Sequence, residues 1–180
     1  MSFTPRLTST GMQGSKYWYS NTNPFFAAGL GLPNCTAYSW GRFWEETPDY
    51  IPKLPTRDAK LWLGIAQQQG IYKTGSTPKL GAVICFGGLK YGHVAIVEEI
   101  KSNGDITTSN SDYYGRYFYI RNLKKSNNYN DGSLKFQGFI YNPHIDDTPP
   151  PEPPKPWKKR SGKFPWVLYS RKLRNRLDNY

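Results

Sequence analysis

Two side chains, 58 positions apart, are suited to nucleophilic catalysis at an acyl group: the thiol of Cys35 and the imidazole of His93. Asn34 is a good helix cap and Pro33 restricts the chain before it, so Cys35 is expected in the first turn of a helix. There the free N–H groups and the positive end of the dipole favour a thiolate. His93 stands at the mouth of the strand-like run Gly92-His93-Val94-Ala95-Ile96-Val97-Glu98. A cysteine hydrolase needs these two groups and a polar side chain that fixes the imidazole. Asn110 and Asp112, beyond the Asn103-Gly104 turn, both return to the neighbourhood of His93. A hairpin centred on Gly104 would put position 115 opposite position 93, so a bulge or tilt must bring either residue into reach.

The elements that would position these groups are legible in outline. Residues 1–22 are polar and aromatic without a period and read as an irregular arm packed by Tyr17, Trp18 and Tyr19. The helix opened by Cys35 stops before Pro48. A second helix is expected with Thr56 as its cap, Ala59, Trp62, Leu63 and Ala66 as its inner stripe, and Gly70 at its end. Short strand-like runs follow at 81–86, 93–100, 105–109, 116–121 and 134–141, with Asn103-Gly104 making a hairpin turn. Helices followed by consecutive antiparallel strands give an α+β fold, with the helices packed on one face of the sheet. Trp40, Trp44 and Trp62 are expected in the core, and Glu98 and Glu99 as an exposed pair at a strand end.

The composition sorts partners and excludes some classes. Of 180 residues, 24 are basic and 13 acidic, a formal charge of +11 that suits polyanionic surroundings. The charge is uneven, because residues 151–180 hold nine basic and two acidic side chains. A domain over 1–145, a proline-rich linker over 146–156 and a basic amphipathic tail over 157–180 are expected, the tail being suited to a partner protein, an anionic wall polymer or a membrane. Motifs that read nucleic-acid bases are absent, so no specific nucleic-acid partner is expected. No apolar run is long enough to span a bilayer, and the first residues lack the plan of a signal peptide. Two cysteines exclude a disulfide scaffold, and Cys85, inside an apolar run, reads as a buried small side chain. Cys35, Cys85, His93 and His144 number four ligands but lack the close pairing of a zinc site, so neither metal nor cofactor is expected, and His144 reads as a solvated residue.

Four blocks in order resemble a known family: Asn34-Cys35-Thr36-Ala37-Tyr38 through Arg42-Phe43, Thr77 to Phe86, Gly92 to Glu98, and Phe136-Gln137-Gly138-Phe139-Ile140-Tyr141. Together they resemble CHAP domains, the papain-related cysteine amidases and endopeptidases of phage lysins and bacterial autolysins. The resemblance spans about residues 15–143 and implies cleavage of an amide in peptidoglycan, with Cys35 as nucleophile and His93 as base. It implies Asn110 as the group orienting the imidazole, with Asp112 ranked behind it, since the family commonly has Glu and then Asn at these two places. Asn34 stands where the family often has Gln beside the oxyanion hole, and as a cap it leaves the Cys35 N–H as the safer donor. Some relatives carry an acidic calcium loop before the cysteine; residues 21–33 have no Asp or Glu, so none is expected here. Exposed aromatics at Tyr113, Tyr114 and Tyr117 are the candidate contacts for glycan or stem peptide. The resemblance suggests an enzyme made without a signal peptide and acting at the bacterial wall, as a phage lysin or as part of a phage tail. The alternative is a structural or adhesive virion component whose tail docks on a phage tail protein.

Overall fold

The computed structural model describes residues 3–145. The expected linker over 146–156 and tail over 157–180 lie outside them. The fold is α+β: among the described residues four α-helices, α1 (Lys16–Tyr19), α2 (Pro24–Ala27), α3 (Cys35–Glu46) and α4 (Trp62–Gln69), precede all of a six-stranded sheet. The strands are β1 (Thr74–Gly75), β2 (Val83–Gly87), β3 (His93–Ile100), β4 (Ile106–Asn110), β5 (Tyr119–Leu123) and β6 (Lys135–Ile140). They are ordered β1-β6-β2-β3-β4-β5 and every neighbouring pair is antiparallel.

β2 and β3 are central, and their side chains are buried on both faces. Val83, Cys85, Val94 and Ile96 face α3 and join Trp18, Tyr38, Phe43 and Trp62 in one cluster. Ile84, Phe86, Ala95 and Val97 face the other way, where Tyr129 and Leu134 of the β5–β6 connection cover them. That second cover explains why these strands read as continuous apolar runs rather than as a strict alternation. Trp40, Trp44 and Trp62 are buried, as their spacing suggested.

The arm is more ordered than its composition indicated. It forms the one-turn helix α1, linked to α2 by the buried amide of Asn23, which accepts from Phe25 N and donates to Tyr17 O and Ala37 O. Trp18 is wholly buried against α3, its indole N–H donating to Tyr38 O at 3.0 Å. The second helix starts later than expected. Thr56 does not cap it; a 3-10 turn over Ala59–Leu61 leads into α4, because Asp58 is extended and the Trp62 indole N–H holds the Arg57 carbonyl at 2.9 Å. Gly70, left-handed at φ 64°, ends it as foreseen.

The contact between α1 and α3 depends on a missing side chain. A Cβ on Gly41 would lie 2.5 Å from the Trp18 ring and 2.7 Å from Tyr17 O. Gly41→Ala is therefore expected to destabilise the domain by about 1–3 kcal/mol despite its better helix propensity. Thermal unfolding followed by circular dichroism checks this; an unchanged or raised midpoint would show that the helices separate without cost.

Candidate active site

Cys35 is the first residue of α3, and several polar contacts hold that end of the helix. Asn34 is extended and its Oδ1 accepts from Thr36 N at 2.9 Å and from Thr36 Oγ1 at 2.8 Å. Its Nδ2 donates to Leu30 O at 3.0 Å, so both ends of the amide are occupied and Asn34 acts as a cap. Its main-chain N–H donates to Ser111 Oγ at 3.1 Å, and that hydroxyl donates to Arg116 O at 3.2 Å. Tyr114 N donates to Pro33 O. The start of α3 is thus tied to the segment that follows β4.

The Cys35 thiol is nearly enclosed, and burial pushes its pKa up to about 11. The N–H groups of Val94, Thr36 and Cys35 itself reach the sulfur and pull the other way, while the Asp112 charge adds to the rise. The expectation of a resting thiolate is corrected here. A helix N-terminus is worth about 0.3–1 kcal/mol, whereas a rise from 9.0 to about 11 corresponds to roughly 3 kcal/mol, so desolvation wins. The Val94 N–H belongs to the peptide unit that leaves His93, which places the sulfur beside the start of β3.

His93 is 6% exposed and opens β3 directly after a turn at Gly92. Gly92 has φ 73°, and a Cβ there would stand 2.5 Å from Lys60 N and 2.6 Å from Phe86 O, so only glycine fits. His93 Nε2 lies 3.0 Å from Asn110 Oδ1. The roles in that bond follow from the other end of the amide. Asn110 Nδ2 donates to Thr108 O and Thr108 Oγ1, leaving Oδ1 to accept, so Nε2 carries the proton and Nδ1 keeps the lone pair. Burial lowers the His93 pKa, opposed first by the Asn110 bond; the Arg121 and Arg116 charges lower it further, and Asp112 raises it. Thiol and imidazole therefore rest as a neutral pair near pH 7.

The register shows how Asn110 arrives. Ile100 pairs with Ile106, so the hairpin is centred at Asn103, one residue earlier than a Gly104 centre. Val97 pairs with Thr108 and Glu99 with Thr107, which leaves Glu98 as the extra residue of a bulge. Continuing this register places position 112 rather than 115 opposite His93, and the imidazole reaches Asn110 along a diagonal.

The bulged residue corrects another expectation. Glu98 is wholly buried, not exposed, because it shares the helix-facing side with Val94 and Ile96. Its Oε1 accepts from Arg42 Nε at 2.9 Å and Ser109 Oγ at 2.6 Å, and its Oε2 accepts from Arg42 Nη2 at 2.8 Å. Arg42 lies on α3, Glu98 on β3 and Ser109 on β4, so one carboxylate joins the elements that carry Cys35, His93 and Asn110. Sequence reasoning gave Arg42 and Ser111 no role of their own and set Glu98 at an exposed strand end. The available signal was an acid in step with two buried β3 residues and an arginine inside an apolar helix.

The structure does not hydrogen-bond Asp112 to His93. Its carboxylate accepts from Arg116 Nε at 2.9 Å and from the Tyr119 hydroxyl at 2.7 Å. Tyr113 and Tyr114 are exposed, with ring centroids 4.3 Å apart. Tyr117 is instead half-buried against the core, its hydroxyl paired with that of Tyr19 at 2.9 Å. Cys35 and Cys85 are both free thiols, and Cys85 is wholly buried in β2. His144 stacks on Tyr50 at 3.6 Å rather than standing in solvent. Among the described residues no group of three His, Cys, Asp or Glu side chains could hold a metal ion.

Residues 26–112 match the CHAP domain family. Its curated relatives include the probable autolysin SsaALP of Staphylococcus aureus, 32% identical over 63% of this chain and 40% of that protein. Two more from the same species are the probable autolysin LDP, 38% identical over 46% of this chain and 28% of its own length, and the secretory antigen ssaA2, 41% identical over 32% and 22%. The match thus spans less than half the length of these relatives. Solved structures similar to it include an N-acetylmuramoyl-L-alanine amidase from Staphylococcus aureus, with TM-score 0.49 and 28% identity over 61% of this chain and 30% of that one. Another is Ly7917 with the hydrolyzing product of MDP, with TM-score 0.45 and 21% identity over 61% and 53%. The CHAP match contains Cys35, His93, Asn110 and Asp112, and leaves out the arm, β5 and β6.

The neutral pair has a measurable signature. Alkylation of Cys35 by iodoacetamide is expected to be slow at pH 5 and to accelerate steadily toward its pKa of about 11, with Cys85 silent. Mass spectrometry of the labelled peptide checks it; fast, flat labelling from pH 5 upward would mean a preformed thiolate–imidazolium pair.

Proposed function

We propose that this CHAP domain is a peptidoglycan hydrolase that cleaves an amide bond of the bacterial wall through an acyl-enzyme on Cys35. The observation that carries the reading is the arrangement around His93: its outgoing peptide N–H reaches the Cys35 sulfur, while Asn110 holds its Nε2–H. Nδ1 is the free base. It takes the thiol proton as the sulfur attacks the scissile carbonyl carbon, and the imidazolium is stabilised by Asn110. Because Asn34 is committed to capping, the N–H of Cys35, which makes no i→i−4 bond at the first helical position, is the proposed donor for the oxyanion. The imidazolium then protonates the departing amine, the C–N bond breaks, and a water activated by the same imidazole releases the carboxylate and the thiol.

Tyr113 and Tyr114, exposed on the segment tied to Pro33, are the proposed contacts for the wall polymer; Tyr117 is withdrawn from that role by its burial. The named curated relatives are two probable autolysins and a secretory antigen of Staphylococcus aureus, which favours the wall as substrate. A phage lysin and a bacterial autolysin would use the same chemistry.

Cys35→Ala is expected to lower the clearing rate of purified walls by at least about 10⁴-fold, with circular dichroism and melting unchanged. Retained lysis by that variant would remove the mechanism. Asn110→Ala is expected to keep measurable activity, losing less than about 10³-fold. Mass spectrometry of the digest reads the bond: new N-terminal L-alanine means amidase, and new termini within stem or bridge peptides mean endopeptidase.

A further inference from the structure

The N-terminal arm lies outside the CHAP match, yet it enters the charge network behind the active site. Glu98 Oε2 has a second donor besides Arg42: the main-chain N–H of Arg6, at 2.7 Å. With Arg42 Nε and Ser109 Oγ on Oε1, the carboxylate then has four donors, matching its lone-pair sites. The arm is held reciprocally. Arg42 Nη2 donates to Thr4 O at 2.7 Å, and Arg42 Nη1 donates to Glu45 Oε2 at 2.9 Å. Arg6 Nε donates to that same Glu45 oxygen at 2.8 Å, and its Nη2 pairs with Glu45 Oε1. Arg6 also lies over the Trp18 ring, 5.3 Å from its centroid.

Polar contacts rather than core packing attach residues 4–8 of this arm. Residues 4–8 line a cavity of about 350 Å³ together with Arg42, Glu45 and Glu46, and Leu7 is exposed. Glu46 Oε1 is buried beside it without a hydrogen-bond partner. Release of the arm would leave Oε2 of a buried carboxylate with one donor fewer and would open Arg42 to water. An uncompensated buried ion is costly, so the Arg42–Glu98 geometry would shift.

We propose that residues 3–8 are a positioning element of the active site, with Arg6 locking the Arg42–Glu98–Ser109 junction that fixes the Cys35 helix against the His93 and Asn110 strands. This rests on the hydrolase reading above for its activity readout only. Arg6 touches no reacting atom; it acts through Glu98 and Glu45.

The test uses the full chain carrying Arg6→Ala or Arg6→Lys, with two readouts: steady-state hydrolysis of purified peptidoglycan, and the rate of Cys35 alkylation by iodoacetamide. Displacement of catalytic groups by a remote change is expected to lower kcat about tenfold for Arg6→Ala, with KM held within about twofold. The alkylation rate should change by about threefold or more in the same variant, and Arg6→Lys, which restores the charge on Glu45, should recover part of both. Wild-type kcat and wild-type alkylation in Arg6→Ala would overturn the proposal. So would a fall in melting temperature with neither readout changed, which is the mark of a purely structural arm. If Arg6→Ala fails to fold, Arg6→Lys is read against wild type by the same criteria. If the wild-type protein cleaves no peptidoglycan, the hydrolase reading fails, and the alkylation rates alone still decide the role of Arg6.

Discussion

The ion pair between Arg42 and Glu98 is the constraint on which this architecture turns. A carboxylate with no exposed surface is tolerable only when each lone pair is met, and here the donors come from α3, β4 and the arm. Pairing of this kind adds little net stability compared with an apolar contact of the same size. What it supplies is specificity of placement: a helix resting on a sheet through apolar side chains alone could slide, whereas a two-point guanidinium–carboxylate contact admits one setting. The candidate catalytic residues sit at the first turn of that helix and at the adjoining strand ends, so any slide would part sulfur from imidazole.

The site was partly legible because its groups occupy places that local chemistry marks. A cap residue before Cys35 and a glycine turn before His93 are local signals, and both elements start where those signals put them. The ends of the strands were read to within a few residues, and the two-residue β1, with no periodicity to betray it, was missed. Pairing across the sheet was harder. Asn110 faces His93 only because Glu98 is an extra residue in its strand, and an inserted residue shows in the sequence as two adjacent acids, which resembles an exposed strand end. The burial of Glu98 depends on Arg42, 56 positions away, a partnership that no local pattern encodes.

Protonation was misread for a related reason. The position of Cys35 at a helix N-terminus is a local fact, but the enclosure of its sulfur is a global one, and enclosure dominates. With burial acting in opposite directions on the two groups, lifting the thiol and lowering the imidazole, the neutral pair is what a dry pocket favours. In the proposed reaction charge separates only as a substrate carbonyl is attacked, and the imidazolium then meets an amide oxygen already in place.

Both borders of the described unit converge on one spot. The arm docks at Arg42 and Glu45, and just past β6 the Asn142 amide donates to Phe43 O and Glu46 Oε2. These are the last turns of α3, a helix of 12 residues whose opposite tip bears the sulfur, about 18 Å off along its axis. A tag fused ahead of the arm would therefore sprout from the rear of the domain, at the end of α3 away from the thiol.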